Sequence, residues 1–248
     1  MNKERKKEIL SIIIKEKQVT VKDLAKRLYI SEPSIRRDLC ELEKQKLLRR
    51  VHGGAIIEEN SESILKIPFL VRELEDHDAK DIIAKRAAEL VNDGDVIMLD
   101  ASSSAYAIIP FLSKKSNITV ITSGVKALIR LGEYGINAYS TGGHLLPTCY
   151  SLTGSDALDT IGRYNADILF FSCRGLSPDG MVTDLSMEED AVRIEMIKHS
   201  KKAILLCAGE KINKGYMHNI CSVNDIDGII TDIELPENIQ KNIRADIP

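Results

Sequence analysis

The sequence contains no uninterrupted apolar stretch long enough to cross a membrane. A transmembrane helix needs about 20 predominantly apolar residues, and no apolar run in these 248 residues approaches that length. The N-terminus leads directly into a charged helical pattern and shows no signal-peptide pattern. We therefore expect a cytoplasmic protein with no membrane partner.

Several common chemical motifs are also missing. The five cysteines are an odd number without C-x-x-C spacing, and the five histidines form no paired ligand spacing. These patterns indicate neither a disulfide framework nor a metal site, so reduced, packed thiols are expected. Neither G-x-G-x-x-G nor a P-loop occurs, which disfavours dinucleotide and ATP chemistry, and no cofactor is predicted. The cysteines are Cys40, Cys149, Cys173, Cys207 and Cys221.

Residues 3–57 carry the pattern of a small helical domain. Thr20 is placed to cap a helix with apolar residues at i, i+3, i+4 and i+7, and Ser31 to cap a second helix with Pro33 in its first turn. An earlier helix over 3–16 supplies a third apolar face. Three such helices can close a small core, as in a helix-turn-helix domain.

The second helix carries Arg36 and Arg37 near its N-terminus, outside its apolar stripe. In helix-turn-helix docking this end meets base edges, and arginine can bind guanine through two parallel hydrogen bonds. The segment 47–57 then has the pattern of a basic hairpin with a turn at 52–54, which predicts a wing that contacts phosphates. The residues expected to contact DNA are Thr20, Ser31, Ser34, Arg36, Arg37, Arg49, Arg50, His52 and Gly53.

The helix spacing alone also fits an ordinary three-helix bundle with a solvated arginine pair, but the charge distribution separates the two interpretations. Residues 1–57 hold 15 of the 34 lysines and arginines and 8 of the 37 aspartates and glutamates, a net charge of +7. Residues 58–248 have a net charge of −10. A basic segment attracts the DNA backbone, and an acidic remainder is expected of a sensor joined to it. The distribution favours a DNA-binding domain.

After residue 57 the pattern changes to apolar strands that alternate with amphipathic helices. We expect a winged helix-turn-helix domain at 1–57, a linker at 58–72, and an effector-binding and oligomerisation domain at 73–248. The alternation predicts an α/β fold with a Rossmann-like, mostly parallel sheet covered on both faces. The predicted strands are Val96–Leu99, Ile118–Ile121, Asn137–Ser140, Ile168–Phe171, Ala203–Leu206 and Gly228–Ile230. The predicted helices of this domain are Asp81–Leu90, Ala105–Leu112, Val125–Glu133, Asp156–Tyr164 and Met187–Ser200.

Polar residues gather where the predicted strands end, which is where ligands bind in open parallel sheets. Ser102, Ser103 and Ser104 follow the first strand at a helix start, where hydroxyls and unpaired N–H groups suit a phosphate. Plain helix capping is the alternative. Further polar residues and glycines follow the next two strands, and Lys211 follows 203–206, where it could offer a positive charge to an anion.

Two motifs resemble the DeoR family of bacterial transcriptional regulators. They are the run Ile35–Leu39, which follows Ser31, and the run Leu48–Ala55. The resemblance continues along the chain and implies an effector domain similar in fold to ribose-5-phosphate isomerase. It implies that the effector-binding residues are Asp100, Ser102, Ser103, Ser104, Thr122, Ser123, Gly142, Gly143, Glu189 and Lys211. The sequence departs from the family pattern at Ser102, Ser123, Ile194 and Ala208.

The resemblance implies a repressor of sugar-metabolism genes whose affinity for a double-stranded DNA operator is controlled by a phosphorylated sugar or similar small anion. Because such operators mirror protein symmetry, a homodimer or homotetramer is expected. The alternative is an isomerase-like enzyme, or an inactive sugar-phosphate-binding protein. Isomerisation needs a base, commonly a carboxylate at a strand end, and 171–175 carries none. Only Asp100 could serve, so we expect no enzyme activity.

Overall fold

The computed structural model describes residues 2–57 and 68–240. Contacts divide the chain into two compact units, Met1–His77 and Asp78–Pro248. No helix in the described ranges is long and apolar enough to cross a membrane.

The first unit combines helices with one small antiparallel sheet. The strands pair in the order β1, β3, β2, with Val19 opposite Ala55 and Arg50 opposite Ala55 on the other side. The apolar stripes of the helices meet in one core that includes Leu10, Leu24 and Leu39. The elements are α1 (Asn2–Glu16), β1 (Gln18–Thr20), α2 (Val21–Leu28), α3 (Glu32–Lys44), β2 (Arg49–Val51), β3 (Gly54–Ile56) and α4 (Phe69–Leu74).

The predicted helices and hairpin are present, with two differences. β1 was not predicted, because three residues are too short for a visible alternation and this strand is recognised only by its pairing with β3. Ser31 occupies the N-cap position of α3, but its side chain makes no capping hydrogen bond. Its hydroxyl instead lies 3.0 Å from the Ser34 hydroxyl.

The predicted linker at 58–72 needs correction at its C-terminal end. Residues 58–67 lie outside the described ranges, but Phe69–Leu74 forms the helix α4. Val71 is buried in the core of the first unit, and Lys7 of α1 pairs with Glu73 at 3.5 Å. The structure therefore places the boundary after His77. A six-residue helix without a side-chain cap gives too weak a local signal to be read from sequence.

The second unit is built on a six-stranded parallel sheet with helices between its strands, so the α/β prediction is confirmed. Its helices and 3₁₀ turns are α5 (His77–Glu89), α6 (Ser103–Leu112), α7 (Val125–Glu133), α8 (Ser155–Ile161), α9 (Met187–Lys198), α10 (Glu237–Gln240) and the turns Gly209–Lys211 and Val223–Asp225. Its strands are β4 (Val96–Leu99), β5 (Thr119–Thr122), β6 (Asn137–Ser140), β7 (His144–Leu146), β8 (Ser151–Thr153), β9 (Ile168–Ser172), β10 (Gly175–Leu176), β11 (Met181–Asp184), β12 (Ala203–Leu206), β13 (His218–Ser222) and β14 (Gly228–Ile230).

The strand order in the large sheet is β14, β12, β9, β4, β5, β6. The chain moves outward from β4 through β5 to β6, and then returns to place β9 on the other side of β4. The order in which the chain adds strands therefore reverses between the parallel strands β4 and β9. The crevice at the carboxyl ends of two such strands is the usual ligand site. Successive residues of β9 alternate between the two buried faces, with Phe170 in one core and Phe171 in the other.

The six predicted strands of this sheet all occur, within one residue at their ends. Five short strands were missed. β7 and β8 form a separate hairpin, while β10, β11 and β13 form a three-stranded antiparallel sheet. β10 has only two residues, and β7 and β8 have three each, which is too short for a visible alternation. β13 pairs with β11, which lies far earlier in the chain.

Candidate nucleic-acid interface and effector site

The recognition helix α3 presents its two arginines to solvent. Arg36 is 55% exposed and pairs with Glu32, one turn earlier, at 2.7 Å. Arg37 is also exposed, and its Nη2 donates a hydrogen bond to Ser34 Oγ at 3.3 Å. These bonds hold both guanidinium groups beside the first turn of α3, the part of a recognition helix that reaches base edges.

The other side of α3 is fixed by a buried ion pair that the sequence analysis missed. Asp38 is 2% exposed and accepts two hydrogen bonds from Arg5 of α1, from Nε at 2.7 Å and Nη2 at 2.8 Å. This bidentate contact sets the orientation of α3 against α1. The signal was an acidic residue placed between Ile35 and Leu42 on an otherwise apolar face.

Two of the predicted DNA-contact residues have local structural roles. Thr20 Oγ1 accepts a hydrogen bond from the N–H of Asp23 and lies 2.7 Å from its carboxylate, so its hydroxyl caps α2. Gly53 lies at the wing turn with φ of +79°. The neighbouring Gly54 is required because a Cβ there would lie 2.0 Å from the carbonyl oxygen of Val19. Both glycines keep the hairpin tight.

The wing side chains are exposed on β2 and its turn. Arg49, Arg50 and His52 are all exposed. Arg50 is oriented by Glu43 of α3, whose carboxylate accepts from the Arg50 N–H at 2.8 Å and lies 3.9 Å from its Nη1. The recognition helix and the wing are thus coupled through Glu43.

In the second unit, the serine run after β4 begins α6. Ser102 Oγ accepts from the N–H of Ala105 at 3.1 Å, so the capping interpretation holds for Ser102. Ser103 forms no side-chain hydrogen bond within the described residues, and its N–H and that of Ser104 lie in the first helical turn, where no intrahelical acceptor exists. These donors can bind an anion at the switch point of the sheet.

Asp100 fixes the conformation of this loop through hydrogen bonds. Its Oδ1 accepts from the N–H of Ser102 at 3.1 Å, and its Oδ2 accepts from the N–H of Ser172 at 3.2 Å and from Arg193 Nε at 3.0 Å. Asp100 is 1% exposed. Both carboxylate oxygens are therefore used inside the protein, which assigns Asp100 to positioning the loop.

Arg193 is the centre of a buried cluster of four carboxylates. Its Nη1 donates to Asp184 at 2.8 Å and to Asp190 at 3.0 Å, and Glu189 lies 3.9 Å from Nη2. The Arg193 side chain is 4% exposed. Burial disfavours its charge, but the carboxylates, Asp184 foremost, hold the pKa of Arg193 well above its usual value. The sequence analysis did not predict this role for Arg193.

The Asp190 carboxylate is not fully satisfied by hydrogen bonds within the cluster. Its Oδ2 is buried without a hydrogen bond, as is Glu189 Oε1. Burial raises the pKa of Asp190 from 3.8 to about 7. The positive charge of Arg193 opposes this shift, and the negative charges of Asp184 and Glu189 add to it. Asp190 is thus protonated in the folded protein at mildly acidic pH.

We expect the second unit to lose stability as the pH rises from about 4 to about 7. In that range the folded state holds a proton on Asp190 that the unfolded chain has released, so raising the pH favours unfolding, by at most about 4 kcal/mol. Asp190→Asn should flatten this dependence, because asparagine keeps the acceptor for Arg193 without titrating. Urea unfolding at several pH values measures it. An identical slope in wild type and variant would contradict the assignment.

Lys211 and Ser172 complete the edge beside the serine run. Lys211 Nζ donates to Ser172 Oγ at 3.1 Å and to the carbonyl of Cys173 at 3.0 Å. Ser172 Oγ donates to the carbonyl of Leu206 at 2.7 Å and lies 3.4 Å from Ser104 Oγ. The ends of β9 and β12 are therefore joined to the start of α6 through one serine.

The loops after β5 and β6 lie at the same sheet edge and are connected to each other. Thr122 Oγ1 accepts from the N–H of Gly124, and the Thr122 carbonyl accepts from the N–H of Thr141. Ser123 is buried, and its carbonyl binds the β7–β8 hairpin through Leu152 at 2.8 Å.

Gly142 and Gly143 both have positive φ, 65° and 102°. A Cβ on Gly143 would lie 2.4 Å from the Thr153 carbonyl oxygen, so this glycine permits close approach of the hairpin. No described contact joins either glycine to the serine run. Within the described residues, no group of three or more potential ligands is arranged to hold a metal ion.

Comparison with known proteins assigns both units. Residues 5–61 match the family model for the DeoR-like helix-turn-helix domain, and residues 75–233 match that for the DeoR C terminal sensor domain. The chain is 31% identical to the HTH-type transcriptional regulator GolR of Listeria innocua, over 97% of this chain and 94% of that protein. It is 24% identical to the glycerol-3-phosphate regulon repressor of Escherichia coli, over 94% and 92%.

Solved structures give a more distant likeness. The eIF2B delta subunit of Chaetomium thermophilum matches with a TM-score of 0.50 and 20% identity, over 67% of this chain and 62% of that chain, which reflects the fold alone. Ribose 5-phosphate isomerase of Methanocaldococcus jannaschii matches with a TM-score of 0.42 and 18% identity, over 56% and 55%. On the evidence of both family models and the full-length relative, this chain belongs to the DeoR family of transcriptional regulators.

Proposed function

We propose that the protein is a repressor of sugar-metabolism genes that leaves its operator when a phosphorylated sugar binds the second unit. The observation that carries the proposal is the start of α6 at the switch point of the sheet, where the Ser103 hydroxyl and the N–H groups of Ser103 and Ser104 have no hydrogen-bond partner among the described residues. The name of the glycerol-3-phosphate regulon repressor, which matches along nearly the whole chain, supports both repression and a phosphorylated effector.

The DNA half of the proposal divides its residues into two roles. Arg36 and Arg37 are exposed at the first turns of α3 and would read base edges in the major groove. Arg49, Arg50 and His52 are exposed on the wing and would contact phosphates, which positions the domain without reading sequence. Because its partner is DNA, we place the protein in the cytoplasm.

Changing Arg37 to Ala should weaken operator binding by about 1–3 kcal/mol and relax the base preference. A matched control is Arg49→Ala, which should weaken binding to every sequence alike and reduce the salt dependence by about one phosphate contact. Gel-shift titrations against operator and scrambled duplexes, at several salt concentrations, separate the two. If Arg37→Ala lowered both affinities equally, its role in base reading would be wrong.

Release from DNA requires that the effector bind one arrangement of the assembly better than another. We propose a homodimer or homotetramer, since a symmetric operator is read by symmetry-related recognition helices. The direct test is a gel shift with the DNA upstream of its own gene, with and without a panel of sugar phosphates. Binding that persists unchanged with every compound would contradict effector control.

We also propose that the protein does not catalyse isomerisation. The one candidate base, Asp100, is buried with both oxygens engaged by Ser102, Ser172 and Arg193. A base must reach the substrate proton, and this buried carboxylate already accepts three hydrogen bonds from the protein. Incubation with aldose and ketose phosphates, followed by product analysis, tests the point.

A further inference from the structure

The carboxyl end of β9 belongs to the candidate effector site. β9 lies beside β4, on the opposite side from β5, so its last residues face the serine run across the switch point. The Ser172 side chain is close to the serine run, because its Oγ lies 3.4 Å from Ser104 Oγ. The same Oγ accepts a hydrogen bond from Lys211 Nζ at 3.1 Å. The residues that directly follow Ser172 are therefore the next to consider as contacts for a ligand held there.

Of those residues, Arg174 is the next with a polar side chain. The side chain of Cys173 is buried in the core on the other face of the sheet, together with Cys207. The backbone at Arg174 is fixed on both sides. Its N–H donates to the Thr183 carbonyl at 3.0 Å, and a Cβ on Gly175 would lie 2.3 Å from the Lys214 carbonyl oxygen. The backbone of the segment between β9 and β10, which carries Arg174, is therefore fixed. The Arg174 side chain is half-buried.

The positively charged side chains at this edge differ in the number of ion pairs and hydrogen bonds that they form with the protein. Arg193 is surrounded by four carboxylates, and Lys211 donates to Ser172 and to the Cys173 carbonyl. The guanidinium of Arg174, in contrast, forms no hydrogen bond or ion pair with any described residue. A planar guanidinium that lacks a partner among the described residues suits two parallel hydrogen bonds to a carboxylate or a phosphate.

We propose that Arg174 determines effector specificity by pairing with a second acidic group, beyond the phosphate bound at the start of α6. The effector class is then a sugar bisphosphate or a phosphorylated sugar acid. This inference rests on the proposed function, because it assumes that the serine run binds the first phosphate. It adds the requirement that the ligand carry two anionic groups.

The test compares matched ligands on the full-length protein. Binding is followed by thermal shift and by calorimetric titration with fructose 1-phosphate against fructose 1,6-bisphosphate, and glucose 6-phosphate against 6-phosphogluconate, within a wider panel of such pairs. The wild type should prefer the doubly acidic member of a pair by about tenfold or more. Arg174→Gln should remove most of that preference, because it should weaken binding of the doubly acidic member far more than binding of the singly acidic member.

Arg163→Gln is the matched control, because it makes the same charge change at an exposed arginine that also lacks a described side-chain partner and lies on the amino-terminal side of β9. It should bind like the wild type. Equal weakening of both members of a pair by Arg174→Gln, or tighter binding of singly acidic compounds by the wild type, would overturn the inference while the proposed function stands. If no phosphorylated compound bound the wild type, both would fail.

Discussion

Arg193→Met should destabilise the second unit by about 3–5 kcal/mol at neutral pH. The arginine neutralises Asp100, Asp184 and Asp190, and its loss leaves buried carboxylates without a countercharge, which costs far more than the pairing itself contributes. Methionine retains similar bulk, so the change tests charge more than packing. Urea unfolding monitored by circular dichroism, at pH 5 and pH 8, gives the free energy of unfolding.

The loss should be smaller at pH 5, because the remaining carboxyls can then take up protons. Arg193→Lys should rescue little, since one ammonium group cannot bridge Asp100 and Asp184 as the guanidinium does. The matched control is Lys198→Met on the same helix, whose ion pair with Glu195 is solvent-exposed and should contribute less than about 1 kcal/mol. A loss of under 1 kcal/mol for Arg193→Met would show that the cluster is compensated in another way.

The double change Ser103→Ala with Ser104→Ala should abolish the response to the effector while DNA binding is retained. Two hydroxyl donors to a charged phosphate contribute about 3 kcal/mol together, so effector affinity should fall roughly a hundredfold. The substitutions keep a good helix former at the start of α6, and Ser102 still caps it. Gel shifts with the operator, across an effector titration, measure both properties at once.

Ser113→Ala is a suitable control, because this serine ends the same helix and its hydroxyl donates only to the Pro110 carbonyl. It should respond to the effector as the wild type does. If the double variant were still released from DNA at the wild-type effector concentration, the phosphate would bind at another loop.

Local signals predicted most of the elements in both units. Thr20 caps α2 as its position before an apolar stripe indicated, and the apolar runs of β4, β9 and β12 lie in a sheet buried on both faces. β6 has a weaker pattern because it is an edge strand with mostly exposed residues, yet its predicted bounds agree with the structure. These elements were predicted because each carries a hydrophobic periodicity of its own.

The candidate site was predicted less completely, because its geometry depends on residues distant in sequence. The resemblance implied that Asp100 binds the effector, and the structure adds that Arg193, 93 residues later, donates a hydrogen bond to its carboxylate. Ser172 was not singled out, although it joins Ser104 to Lys211. The resemblance to known regulators predicts which positions bind the effector. It did not indicate which side chains the protein uses internally.

The sequence by itself determined that this protein has a basic helical domain followed by an acidic α/β domain, because charge and hydrophobic periodicity are local properties of the chain. Only the tertiary structure decided which polar groups form hydrogen bonds and ion pairs within the protein and which have no such partner. A buried carboxylate must find a partner or keep its proton. Whether it does so depends on strands and helices that meet only when the sheet is assembled.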